Sequence, residues 1–315
     1  MQPFLDASLT LLVAVLIDIA LGEAPLRIHP TAWMGRLITY GYRPARTRGP
    51  LTQKIYGSFL ALSIIAVFAG GTYAILDAAR TLVEPIQIIL AAILLKPTFS
   101  LRLMYRYAVQ LASAVKQDDY LRARAVVQNI VRRDPYQLNE AQVISAGIES
   151  VAENTADGIT SPLFYFALFG VPGAFAYRAI NTLDSVLGYR DQDFINLGWF
   201  SARLDTLANW LPARLTSILT LLSARLVGQS ASNGWRILRR DRNRTESWSA
   251  GWLMSAMAGA LHVRLEKPGF YELGDPGVPL GHKQLIAAVG IMLLNSVLFI
   301  LLIVLPVMLA ITMVI

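Results

Sequence analysis

The chain has 315 residues, 55% hydrophobic and only 16% charged, with a mean hydropathy of +0.48. A soluble domain carries about 25% charged residues, so the composition is that of an integral membrane protein. The absence of cysteine excludes disulfides, thiolate metal sites and a cysteine nucleophile. The net charge of +7 and pI of about 9.7 fit Lys and Arg gathered in cytoplasmic loops and also suit anionic substrates. With no basic run interleaved with aromatics, they do not point to nucleic acid. His29, His262 and His282 are too dispersed for a three-His zinc site.

Residues 4–21, FLDASLTLLVAVLIDIAL, are long enough to span a bilayer, with Asp18 interrupting the far end. The stretch lacks a basic leader and a small-residue cleavage site, so it reads as an anchor and not as a removable signal. Residues 22–55 carry Arg27, Arg36, Arg43, Arg46, Arg48 and Lys54. A second span is predicted at 56–76 and a shorter third at 82–95, joined by a link holding only Asp77 and Arg80. The positive-inside rule then puts the N-terminus outside and 22–55 in the cytoplasm. Residues 97–160 return there, with Arg102, Arg106, Lys116, Arg122, Arg124, Arg132 and Arg133 in agreement. They read as amphipathic helices, one starting at Asp118–Asp119 and stopping at Asp134–Pro135. Residues 161–177, broken by Pro162 and GVPG, and 212–228, carrying Arg214 and Arg225, each span, re-enter or lie buried. Residues 229–284 read as cytoplasmic-side helical segments. The charge-free run 285–315 exceeds one span and is either a long tilted helix or one broken near Pro306. The expected fold is all-α and polytopic, with residues 1–315 forming a single membrane domain without internal repeats.

Polar residues concentrate in a few places. In SAGIESVAENTADGIT, Glu149, Glu153 and Asp157 are spaced four apart, which stacks three carboxylates on one face of an α-helix. Basic partners at helical spacing are missing, and Asn154 adds a polar group beside the row. A partly buried carboxylate row calls for a cation, and Mg²⁺ held by one or two carboxylates plus substrate phosphates fits, with Glu153 and Asp157 as the ligands. In YRAINTLDSVLGYR, Arg178, Asn181, Asp184 and Ser185 share one helical face, suited to clamping a phosphate or carboxylate. In SARLDTLANWLPARLT, Ser201, Asp205 and Asn209 repeat on one face, flanked by Arg203 and Arg214. Asp18, followed by Glu23 and His29, is an ionisable residue within a span and so a functional candidate. The AMAGA stripe at 256–260 reads as close helix packing, with Lys267 and Tyr271 nearby as ligand candidates. No G-x-x-x-x-G-K-[ST] sequence is present, so a nucleotide would not be held by a Walker loop.

ESVAENTADGITSPLF, YRAINTLDSVLGYR, SARLDTLANWLPARLT and GWLMSAMAGAL, in this order, resemble the CbiB/CobD family of cobalamin-biosynthesis membrane proteins, the adenosylcobinamide-phosphate synthases. DIALGEAPLRIHP with MGRLI resembles the family's opening motif, and Lys96 and Ser100 its K…S pair. The resemblance covers nearly the whole chain. It implies ATP- and Mg²⁺-dependent formation of an amide between an aminopropanol phosphate and the free propionate of adenosylcobyric acid. It also implies an inner-membrane enzyme with its site facing the cytoplasm. On that reading Glu149, Glu153, Asp157, Asp184 and Asp205 are catalytic. Asp18, His29, Lys96, Asn154, Arg178, Asn181, Arg203, Asn209, Arg214 and Lys267 bind substrate, and the clusters converge on one cavity. A homo-oligomer is compatible with this.

The chain departs from the family pattern at TESWS, where Thr245 and Ser249 replace His and Asn, and at Thr206, where a second Asp is usual. Two other functions fit a polytopic chain. A non-catalytic AmpE-like sensor or scaffold would keep the spans without needing ATP. A transporter would use Asp18 and the broken stretch 161–177 as its path, but no paired repeats support it.

Overall fold

Apolar runs that cross a bilayer must satisfy their backbone groups internally, and helices do this within one segment. The computed structural model describes residues 1–131, 133–188 and 194–314, so Arg132 and the Tyr189–Arg190 end of the YRAINTLDSVLGYR motif lie outside the described residues. In chain order the helices are α1 (Gln2–Leu21), α2 (Pro30–Tyr42), α3 (Pro50–Ala78), α4 (Glu84–Leu95), α5 (Leu101–Lys116), α6 (Tyr120–Val127) and α7 (Glu140–Thr155). They continue with α8 (Ser161–Leu187), α9 (Trp199–Ala208), α10 (Trp210–Leu226), α11 (Ala231–Asp241), α12 (Trp248–Ala260), α13 (His282–Phe299) and α14 (Leu305–Val314). A single antiparallel hairpin, β1 (Leu265–Lys267) with β2 (Tyr271–Leu273), is the only sheet among the described residues.

Five helical runs are long and apolar enough to cross a membrane: Gln2–Leu21, Pro50–Thr81, Glu84–Lys116, Glu140–Leu187 and His282–Val314. The all-α membrane class is therefore as expected. The predicted segments 4–21, 56–76, 82–95 and 285–315 correspond to four of these runs, and 161–177 falls within the fifth. Residues 212–228 fall on the shorter α10 and the turn after it. The run after Leu285 is interrupted by a π-helical turn, Ile300–Val304, immediately ahead of the Leu305–Pro306 pair. The helix expected to stop at Asp134–Pro135 ends earlier, at Val127. Asp119 caps its start by accepting from the Arg122 amide, and the following residues form turns.

The chain divides into two compact units. The first comprises Met1–Ser100, Ser161–Asn209 and Leu302–Ile315. Here α8 packs against α2, α3, α9 and α14, and α1 against α4 and α14. The inner face of α1 carries Leu11, Ala14 and Asp18, while Leu5, Leu9, Leu12, Leu16 and Ile19 point outward. This inversion of the soluble pattern suits a helix whose outer solvent is lipid. Within α8, Gly170 adopts φ 66°, and Pro172 follows, so the two halves of the helix are offset by a kink. α3 approaches the backbone at Gly57, where a Cβ would come within 2.0 Å of the Leu197 carbonyl oxygen.

The second unit comprises Leu101–Thr160 and Trp210–Leu301. Its centre is α12, which packs on α7, α10 and α11. The small residues of AMAGA are buried, and a Cβ added at Gly259 would lie 2.8 Å from the Asn233 carbonyl, so the stripe allows close helix packing. On α10 the buried residues combine small and hydroxylic side chains (Ala213, Thr216, Ser217, Thr220, Ser223) with Leu219 and Leu221, whereas Leu211, Ile218, Leu222 and Leu226 are exposed. Asn295 of α13 donates to the Thr216 carbonyl at 2.9 Å and the Thr220 hydroxyl at 2.8 Å.

The Gly57–Leu197 approach yields a direct test. Gly57→Ala should cost about 1–3 kcal/mol through overpacking and lower the thermal unfolding temperature in detergent. Gly35→Ala, where nothing lies within 4 Å of the added Cβ, should leave that temperature unchanged or raise it slightly.

Candidate functional site

The acidic helix is set by its first turn. Asn139 and Gln142 form a reciprocal capping box, each side chain accepting from the other's backbone amide. Gln142 also donates to Glu266 on β1 at 2.9 Å. One turn on, Ser145 Oγ accepts from the Glu266 amide at 2.8 Å and donates to Glu149 Oε1 at 2.6 Å. The other oxygen of Glu149 accepts from Arg133 Nη2 at 3.0 Å and from the Tyr271 hydroxyl at 2.8 Å. Burial, and then the adjacent Glu149 charge, push the Tyr271 phenol far above its ordinary pKa, so it stays protonated and donates.

The acidic row therefore has a basic partner after all. Arg133 lies in the loop before the helix, outside the positions that helical spacing would supply. Glu149 is buried with both oxygens occupied, which suits an anchor more than a metal ligand. Glu153 and Asp157 are only partly buried. The α-helix ends at Thr155, and Asp157 sits in a π-helical turn, Ala156–Thr160, so the row does not continue at strict α-helical spacing. Such turns are frequent at functional sites. Asn154 donates to the Ser150 carbonyl at 2.9 Å.

Among the described residues, no three His, Asp or Glu side chains are grouped to hold a metal ion. Mg²⁺ does not require such a cage, since one or two carboxylates and substrate phosphates suffice. Glu153 and Asp157 carry carboxylates of the kind such a cation would take. In the same unit Lys267 lies over the Phe270 ring at 4.3 Å, beside a pocket lined by Gln142, Glu266, Tyr271 and Glu272. The Arg214 guanidinium lies 4.2 Å from the Trp210 ring centre and 4.8 Å from that of Trp252.

The other predicted residues belong to the first unit. Lys96, at the end of α4, is buried between Asp18 at 3.0 Å and Glu23 at 2.8 Å. The second oxygen of Glu23 meets His29 Nε2 at 2.9 Å. His29 Nδ1 accepts from the Thr31 amide at 3.2 Å and so caps α2. With Nδ1 turned to the Thr31 amide, Nε2 faces Glu23. Burial raises the Glu23 pKa, but hydrogen bonds from His29 and Lys96 outweigh it and hold the group below its ordinary value. Asp18, Lys96 and His29 thus form one network, completed by Glu23.

Asn209, fully buried at the C-cap of α9, accepts from Ser161 Oγ at 2.9 Å and Tyr177 Oη at 2.8 Å. Its amide nitrogen donates to both Asp205 oxygens at 3.2 Å. Tyr177 stacks on Tyr165, whose hydroxyl donates to the Ala208 carbonyl. Asn209 therefore orients Asp205. Arg178 makes long contacts of 3.5 Å to Thr31 Oγ1 and Asn181 Oδ1. Asp184 borders Gly188, where a Cβ would come within 2.1 Å of its carboxylate. Arg203 is exposed and lies over the Trp199 ring at 4.5 Å. The departures from the family pattern serve local structure. Thr206 and Thr245 donate to the backbone at Ala202 and Ser247, and Ser249 is buried on α12.

A family model described as CobD/Cbib protein matches residues 11–295. The chain belongs to the CobD/CbiB family. A CobD relative from Methanothermobacter thermautotrophicus, named a probable cobalamin biosynthesis protein CobD, is 40% identical over 290 residues, covering 92% of this chain and 94% of that protein. The cobalamin biosynthesis protein CobD of Dehalococcoides mccartyi is 36% identical over 276 residues, covering 88% of this chain and 89% of its own. No solved structure matches.

Two outcomes follow from these CobD/CbiB networks. Asn209→Ala strips acceptors from two buried hydroxyls, at about 1–3 kcal/mol each. It should lower the unfolding temperature clearly, whereas Arg203→Ala should hardly move it. Glu23 has a folded pKa below its unfolded value of 4.5, so its contribution to stability is complete above that value and is lost as pH falls through the folded pKa. Glu23→Gln should flatten the acid limb of stability below roughly pH 5, read by unfolding at stepped pH; an unchanged limb would mean the network does not set it.

Proposed function

We propose that this chain serves cobalamin biosynthesis as an ATP- and Mg²⁺-dependent amide ligase. It would join an amino-alcohol phosphate to the free propionate of a corrinoid acid, adenosylcobyric acid, to give adenosylcobinamide phosphate. The observation that carries this reading is the family match over residues 11–295, a range that contains every polar cluster described above. The acidic helix supports it, with one carboxylate fixed as an anchor and two partly buried ones beyond it.

A carboxylate is a poor electrophile, so one of its oxygens first attacks the γ-phosphorus of ATP. A P–O bond forms, the bond to ADP breaks, and an acyl phosphate results. The amine lone pair then attacks the acyl carbon, a C–N bond forms, the C–O bond to phosphate breaks, and phosphate leaves with that electron pair. The amine gives up a proton to a base. Glu153 and Asp157 would hold Mg²⁺, whose chemistry is to neutralise phosphate charge. Asp184 and Asp205 are the candidate bases, Asp205 being aimed by Asn209. Arg178, Arg203, Arg214 and Lys267 supply cationic groups for phosphate and the corrin carboxylate, with Asn154 and Asn181 as amide donors. Catalysis in such a step is positioning plus electrostatic neutralisation. On the positive-inside reading the reaction would take place on the cytoplasmic side of the inner membrane.

Purified protein should release ADP only when corrinoid acid and amino-alcohol phosphate are both present. Release without either substrate, or none with both, would count against the ligase. Asp157→Asn keeps the side chain's shape but removes the charge a hard cation needs. It should abolish most Mg²⁺-dependent turnover without shifting the unfolding temperature; wild-type Mg²⁺ dependence would make the acidic row structural.

A further inference from the structure

The Glu149 cluster holds a group that the proposed chemistry has not used. Arg133 has 18% of its side chain exposed and gives Nη2 to Glu149. Its Nη1 is shielded from solvent yet has no hydrogen-bond partner among the described residues. A buried donor left unmatched costs about 1–3 kcal/mol, and more when charged. Glu149 cannot turn to satisfy it, because Ser145 occupies one oxygen while Tyr271 shares the other with Arg133. The guanidinium is thus fixed along one edge, and the other edge is left unmatched.

The setting indicates what that edge would meet. Glu153 follows Glu149 by one turn, and its charge is felt at the Tyr271 phenol, as is that of Arg133. The arginine, the anchor and the first of the two partly buried carboxylates therefore share one neighbourhood. A planar fork with an unmatched edge in this neighbourhood is suited to a phosphate oxygen, because guanidinium geometry matches phosphate.

We propose that Arg133 binds a nucleotide phosphate at the acidic helix, with Glu149, Ser145 and Tyr271 as the residues that position it. The identity of the anion rests on the ligase reading. A purely structural Arg133 would serve only as the counter-ion of Glu149, and lysine would then replace it adequately.

That difference sets the experiment. Arg133→Lys keeps a cation opposite Glu149 but removes the second edge of the fork. Calorimetric titration of the detergent-solubilised protein with MgADP should show affinity reduced at least about tenfold, with an unfolding temperature near that of the parent. Wild-type MgADP affinity in Arg133→Lys would overturn the proposal. The two readings fail separately. MgADP binding through Arg133 without amide formation would remove the ligase and leave this site. Amide formation with MgADP affinity unchanged in Arg133→Lys would do the reverse.

Discussion

A charge taken out of water must be matched, and this requirement organises the interior of the protein. Desolvating an ion costs several kcal/mol even after relaxation, and breaking a buried pair leaves that cost unopposed. Lys96 is set between two carboxylates, and the second carboxylate is matched by an imidazole that also caps a helix. Glu149 is matched by a guanidinium, a phenol and a serine hydroxyl. Each network joins elements distant in sequence, so the same bonds that neutralise charge also fix the positions of helix ends.

Apolar surface plays the opposite part from its role in a soluble protein. On α1 the exposed face is leucine and isoleucine, while the inner face carries small and polar residues beside Leu11. With lipid as the outer solvent, association gains little from burying leucine and depends on close packing and hydrogen bonds. The tight approaches at Gly57 and Gly259, and the Asn295 bonds to α10, are the local forms of that rule.

Much of this was legible in the sequence. Runs of apolar residues located the helices long and apolar enough to span, the small-residue stripe located the packing face of α12, and motif order located the family. The anchoring of Glu149 was not legible, because Arg133 lies 16 residues before it and Tyr271 122 residues after, and no local periodicity relates them. Nor was the change of register at Asp157, since the four-residue spacing assumes an α-helix where the backbone forms a π turn. Asn209 carried the right polarity, yet its bonds to Ser161 and Tyr177 make it a buried support for Asp205, which spacing along one helix does not reveal.

The central claim is that a carboxylate is activated by phosphoryl transfer from ATP. It is tested most directly by supplying the corrinoid acid with ¹⁸O in its free carboxylate and following the label through one turnover. Attack on the γ-phosphorus requires one ¹⁸O in the inorganic phosphate released with each amide, the other remaining in the amide carbonyl. Label found in AMP, or phosphate released without any label, would contradict it.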